Sequence, residues 1–273
     1  MIMKGNNTIH YTLRIAIAMC FIGHGVFGII TKAVWCNYFA VFGIGTSLSY
    51  DLMPVVGIID IFLGVCMLAW PVKAIPGWLV IWGMLTAFLR PLSGEPFPEF
   101  LERAGNYGAP LALLLLSGMP GNFREWFARI KPNGKLSETN IVNAINCLRV
   151  VIFLLFIGHG LLNLEGKTGL LNQYRNLGFS NPVGLGQGIG MFEIVMAIIV
   201  LIKPVRPLLV GLFVWKMGSE LFYPSYAVFE WVERGGSYGS ILALWFALKN
   251  NPAPSFGFMN RFVTKGLIKR ETE

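Results

Sequence analysis

Apolar residues fill this chain in stretches of helix length, and the breaks between them are short, polar and rich in turn formers. The pattern predicts helices over roughly 12–31, 53–71, 74–91, 105–121, 146–164, 184–202, 206–223 and 237–250. These approach the roughly 20 residues that a helix needs to cross a bilayer. Between Arg103 and Arg124 the chain carries no charged residue at all. Matching turns, Trp70-Pro71 to Pro76 and Lys203-Pro204 to Pro207, part the second and third helix of each group of four.

The two groups share more than their turns. Phe21-Ile22-Gly23-His24-Gly25 returns unchanged as Phe156-Ile157-Gly158-His159-Gly160, and an arginine stands ten positions before each histidine (Arg14, Arg149). A second phrase closes each group: Glu99-Phe100-Leu101-Glu102-Arg103 answers to Glu230-Trp231-Val232-Glu233-Arg234, with a glycine-rich continuation into the last helix. Two phrases in the same order make an internal duplication. The expected fold is an all-α integral membrane protein, eight transmembrane helices arranged as two parallel four-helix repeats. The first repeat is 1–121, a basic linker 122–145 follows, the second repeat is 146–250, and 251–273 is a tail. Four spans per repeat is an even number, so both repeats point the same way, related by an axis along the membrane normal.

Composition agrees. The chain is 55% hydrophobic and 13% charged, too apolar for an ordinary globule. Its net charge of +8 could suggest nucleic acid, but the basic residues lie in the breaks between apolar stretches. That is the positive-inside pattern, with lipid and not nucleic acid as the partner. It puts both termini on the cytoplasmic side and the acidic phrases outside. A short interfacial helix is expected over 124–130. None of the four cysteines forms a C-x-x-C pair, so neither a dithiol centre nor a zinc site is expected, and no other metal set stands out.

Ionisable residues at mid-membrane depth are the candidate chemistry, since hydrocarbon tolerates them only against a bundle interior or a wet cavity. His24 lies ten residues from Arg14, about 15 Å along a helix, and Asp60 comes to a similar depth from the other side. The second repeat matches them with His159 and Glu193, then adds Asn163, Lys216, Glu220 and Tyr223. These six make the main candidate site, and His24 with Asp60 a secondary one. For His24 the plainer role is a packing seam, its flanking glycines admitting a neighbouring helix. Glu99, Glu102, Arg103, Glu230, Glu233 and Arg234 are placed at the outer mouths of the repeats, as salt-bridged caps or gates.

The early arginines, the F-x-G-H-G runs and the glycine-rich start of the fourth helix (Gly105 to Leu113) resemble the DoxX-like family of four-helix membrane proteins. The likeness covers most of both halves, here as a tandem duplication. It implies a compact four-helix unit in a bacterial inner membrane. It also implies quinone-linked redox chemistry, because the family includes the membrane subunit of thiosulfate:quinone oxidoreductase. A quinone would meet a proton donor (His159), tuning carboxylates (Glu193, Glu220) and a polarising ammonium (Lys216), with Phe213, Trp215 and Phe222 lining the slot. No flavin, haem or metal motif is present, so electrons would have to come from a redox partner protein. A small-solute carrier or binding protein, and a non-catalytic assembly or scaffold protein, are the alternatives.

Overall fold

A computed structural model describes residues 3–132, 137–222 and 227–251. The first six helices are α1 (Met3–Ile29), α2 (Trp35–Ala40), α3 (Thr46–Ala69), α4 (Ala74–Leu92), α5 (Pro98–Glu102) and α6 (Ala104–Ser117). A single turn, α7 (Phe123–Trp126), precedes α8 (Glu138–Leu164), α9 (Thr168–Asn176), α10 (Pro182–Ile202), α11 (Arg206–Leu221), α12 (Ala227–Glu233) and α13 (Gly235–Asn250). Apart from one isolated bridge between Val72 and Arg129, no β-pairing occurs among the described residues.

Local chemistry sets the helix ends. The Asn122, Ser137 and Asn181 side chains accept from the backbone N–H three residues on, capping α7, α8 and α10. Pro182 adds a preset φ at the start of α10. Gly118, at φ 81°, stops α6 where a side chain would be strained. Arg14 and Arg149 close α3 and α10. Arg14 donates from Nε to the Met67 carbonyl at 2.9 Å and also reaches Leu68 O. Arg149 donates to Leu201 O at 3.1 Å and to Ile202 O at 2.8 Å. Each guanidinium thus occupies the last, otherwise unpaired carbonyls of a neighbouring helix.

Among the described residues, five helices are long and apolar enough to cross a membrane: Asn7–Ile29, Thr46–Ala69, Ala74–Leu92, Glu138–Leu164 and Pro182–Ile202. The chain is therefore read as a multi-pass membrane protein. The remaining three expected spans form helices of 14, 16 and 16 residues (α6, α11, α13). At about 1.5 Å per residue these are shorter than a hydrocarbon core of about 30 Å. Both α6 and α13 are buried along most of their length, at the centre of the bundle. The apolar residues left exposed lie on the outer helices, such as Val55, Ile58, Phe62 and Val65 on α3 and Met191, Val195 and Ile198 on α10. Belts of this kind face lipid.

Glycines decide how closely the helices meet. A Cβ on Gly25 would sit 2.5 Å from Gly57 O, and one on Gly160 would sit 2.8 Å from Gly190 O, so α1 lies on α3 and α8 on α10 backbone to backbone. At the centre, a Cβ on Gly236 would sit 2.6 Å from Gly105 O, where α6 crosses α13. The main core then fills between these seams with Leu13, Ile17, Leu113, Leu148, Ile152, Phe156 and Leu244.

Several expectations are corrected. The linker 122–145 gives up its second part to α8, which starts at Glu138, since the polar residues there ride on exposed turns of the helix. The interfacial helix expected over 124–130 is reduced to Phe123–Trp126. The loops after α1 and α8 contain the short helices α2 and α9, too brief to show a period in sequence. Residues 133–136 of the linker and 252–273 of the tail lie outside the described residues.

Candidate functional site

Three helices converge on His159. Its Nδ1 lies 2.6 Å from Glu193 Oε2 on α10, and the other Glu193 oxygen accepts from Trp215 Nε1 on α11 at 2.9 Å. Glu193 is fully buried, so these two donors provide its compensation. One turn along α8, Asn163 donates to the His159 carbonyl at 3.1 Å and accepts from Tyr174 OH at 2.5 Å. A carboxylate on Nδ1 fixes the tautomer and leaves Nε2 as the working nitrogen.

A second group of charges abuts the imidazole. Lys216, with no exposed surface, puts Nζ 2.5 Å from Glu220 Oε1 one turn along α11 and 3.6 Å from Glu102 Oε1. Arg234 NH1 lies 3.1 Å from Glu102 Oε1, and its Nε lies 3.8 Å from Glu220 Oε2. The main candidate site of the sequence is thus brought together: His159, Glu193, Asn163, Lys216 and Glu220 form one contiguous set. Tyr223 lies outside the described residues. In the first half His24 Nδ1 meets Asp60 Oδ2 at 2.7 Å, as the repeat implies.

Glu102 and Arg234 are placed differently from the expectation. The two E-x-x-E-R phrases do not lie at the surface of their own halves; all six of their charged residues are buried, and the segments are crossed. α5 of the first half packs on α8, and α12 of the second packs on α1. The reason is the glycine before each histidine: a Cβ on Gly158 would sit 2.2 Å from Glu102 N, and one on Gly23 would sit 2.4 Å from Glu233 N. Each half's histidine is therefore completed by the other half's carboxylate. The F-I-G-H-G glycines carried this signal, but in sequence they read only as a general packing seam.

Ion pairs continue from this crossing without a break. Arg103 NH1 lies 2.6 Å from Glu99 Oε2 and 3.3 Å from Glu102 Oε2. Glu99 also takes Lys167 at 2.5 Å and Arg90 at 3.5 Å, and Arg90 reaches Glu95 at 2.9 Å. Lys32 pairs with Glu230 at 2.5 Å. Burial pushes the Glu99 carboxyl up, but Arg103, with Lys167 and Arg90, outweighs burial and the repulsion of Glu102 and holds it at about 2 against an ordinary 4.5. A depressed folded value stabilises the native state above the ordinary range, and that stabilisation is lost as pH falls through the folded value. Thermal unfolding should keep a level midpoint down to about pH 5 and then fall between about pH 4.5 and about pH 2. Glu99→Gln should flatten that fall, measured by scanning both proteins in detergent.

Two cavities flank the crossing. The larger, about 520 Å³, lies in the second half. His159, Glu102, Glu220 and Arg234 form its polar end, and Leu162, Leu170, Ile189 and Val214 are among its apolar walls. α9 covers it. Because the backbones of α10 and α11 stay apart, and Val214 and Phe222 are largely exposed, it opens sideways between these helices. Of the three aromatic residues expected to line the slot, Trp215 and Phe222 do so and Phe213 does not. The smaller cavity, about 150 Å³, lies in the first half against His24, Arg103 and Glu233. Neighbours in sequence face opposite ways: Glu102 and Arg234 line one cavity, Arg103 and Glu233 the other.

Comparison of the chain with models of protein families, with curated proteins and with solved structures yields no match. The chemistry rests on the site itself.

By distance alone Glu102, His159 and Glu220 could hold a metal ion, each offering a ligand atom within 4.8 Å of the others. Charge argues otherwise. The Lys216 ammonium lies between the two carboxylates and Arg234 pairs with both, so a divalent ion would have to displace cations already in contact. The site is organised by hydrogen bonds and ion pairs.

Proposed function

We propose that this chain is a DoxX-like membrane protein built as two parallel four-helix repeats, and that its second half binds a quinone as the membrane component of a quinone-linked redox system. The observation that carries the reading is the cavity at His159. Its far wall is apolar, its mouth lies between α10 and α11 where lipid would be, and its polar end presents an imidazole backed by a carboxylate. A prenylated ring entering from the bilayer would meet a proton donor at a carbonyl while its tail stayed among apolar side chains.

Reduction of a quinone to a quinol takes up two electrons and two protons. His159, held by Glu193, supplies one proton to one carbonyl oxygen, the second proton reaches the other oxygen from water, and the Lys216–Glu220 pair stabilises the charge that develops at the first. The electrons come from a partner protein, since the chain has no cofactor motif of its own. The basic loops favour a cytoplasmic linker, and the family likeness favours a bacterial inner membrane. A carrier for a small polar solute fits less well, because the walls of the cavity are mostly apolar.

The test is a double variant, Lys216→Met with Glu220→Leu. It removes one charge of each sign and leaves the Glu102–Arg234 pair in place, so the fold should survive. Affinity for a short-tailed quinone, titrated in nanodiscs, should drop about tenfold or more. Unchanged affinity with raised stability would instead assign the charges to helix assembly.

A further inference from the structure

The first half lacks counterparts of Lys216 and Glu220: Gly83 and Ala87 stand there. That lack has a structural consequence. In the second half the carboxylates around the histidine are each met by an ion pair or a hydrogen bond. Glu102 is held by Lys216 and Arg234, and Trp215 is held by Glu193. In the first half fewer direct bonds are made: Glu233 feels the charges of His24, Arg234, Arg103 and Arg90 only at longer range. Glu233 lines the smaller cavity at 6% exposure, with no hydrogen bond and no ion pair within 4 Å among the described residues. Trp82, the counterpart of Trp215, has a buried Nε1 without a partner, and so has the Asp60 oxygen Oδ1. The cause of the last two is one methylene: the shorter Asp60 bonds His24 as Glu193 bonds His159, but its second oxygen does not reach the indole.

A buried donor without a partner and a buried carboxylate without a direct hydrogen bond are costly, and a ligand that bonds them both recovers that cost. What surrounds them is flat and aromatic. The Trp35 ring lies 4.7 Å from the His24 ring at 31°, and Phe27, Tyr38 and Trp82 also line the cavity. The space of about 150 Å³ suits a ring and not a ring with its tail. An exit for a tail lies between α3 and α4, which pack lightly on each other, past the exposed Leu85 and Phe42.

We propose that the first-half cavity is a second binding site for the head of an amphiphile of the same class, a flat ring with acceptor oxygens. The ring stacks on Trp35, one oxygen takes the Trp82 indole N–H, and Glu233 and His24 are the groups that exchange protons with it. Glu233 comes from the opposite half, so this site, like the other, is assembled from both repeats. The inference rests on the proposed ligand class, but its location is independent of the site at His159.

The test is photolabelling of the full chain in nanodiscs with a short-tailed quinone carrying a diazirine on the ring, with labelled peptides mapped by mass spectrometry. Two separate sets are expected, one within 34–42 and 82–90 and one within 170–189 and 214–222. Trp82→Phe and Glu233→Gln should each lower labelling of the first set about tenfold and leave the second unchanged. Labelling of the second set serves as the control for folding. Labels confined to the second set would overturn this inference and leave the proposed function standing. Labels confined to the first would support it and remove the site at His159, and no labels in either would remove both.

Discussion

Replacing Glu102 by alanine should cost the protein about 3–5 kcal/mol of stability, because it leaves buried cations without their counter-charge. Arg234 at 3.1 Å, Arg103 at 3.3 Å and Lys216 at 3.6 Å all lean on this one carboxylate. Burial pushes the Glu102 carboxyl up, yet Arg234, Lys216 and Arg103 hold it well below the usual carboxylate range, so it is the anion at the centre of the crossing. The loss should appear as a lower unfolding midpoint in detergent. A paired change, Glu102→Gln with Arg234→Gln, removes both signs together and should recover most of it. A Glu102→Ala protein as stable as wild type would mean that the crossing is not an energetic feature of the fold.

The second large effect is steric. Gly158→Ala should lose about 1–3 kcal/mol and should weaken quinone binding at the same time. The added Cβ would meet backbone, Glu102 N at 2.2 Å, and backbone cannot rotate away as a side chain can. α5 must lift off α8, carrying Glu102 away from His159 and Lys216. Gly23→Ala is the matching change, with Glu233 N at 2.4 Å, and it should disturb the first cavity while leaving the second intact. Quinone labelling of the two variants, read alongside their melting curves, separates the two effects.

The helical class, the membrane setting and the histidine–carboxylate pairs were legible in the sequence. Each depends on a local pattern: apolar runs of sufficient length, and charged residues at matching depth on consecutive helices. His159 and Glu193 could be paired because both lie about mid-way along spans whose ends the arginines and turns mark. What sequence could not show was anything set by the path between spans. The short helices α2 and α9 carry Trp35, Tyr38, Tyr174 and Gln173 into the cavities, and six to nine residues show no period. Nor could the repeat reveal its own crossing. Two matching phrases look as if each serves the half in which it stands, and only the contacts of Gly158 with Glu102 and of Gly23 with Glu233 show the exchange. The short α6 and α13 illustrate a third limit. An apolar run predicts burial, but burial at the centre of a bundle and burial in lipid look alike in sequence.

The account comes down to a quinone held at His159. It is tested most directly by extracting the small molecules retained by protein purified gently from membranes and identifying them by mass spectrometry, for wild type and for His159→Ala side by side. Wild type should retain quinone at near-stoichiometric amounts, and His159→Ala, equally folded, should retain markedly less. A wild-type protein with no quinone, or a variant that keeps as much as wild type, would contradict the account.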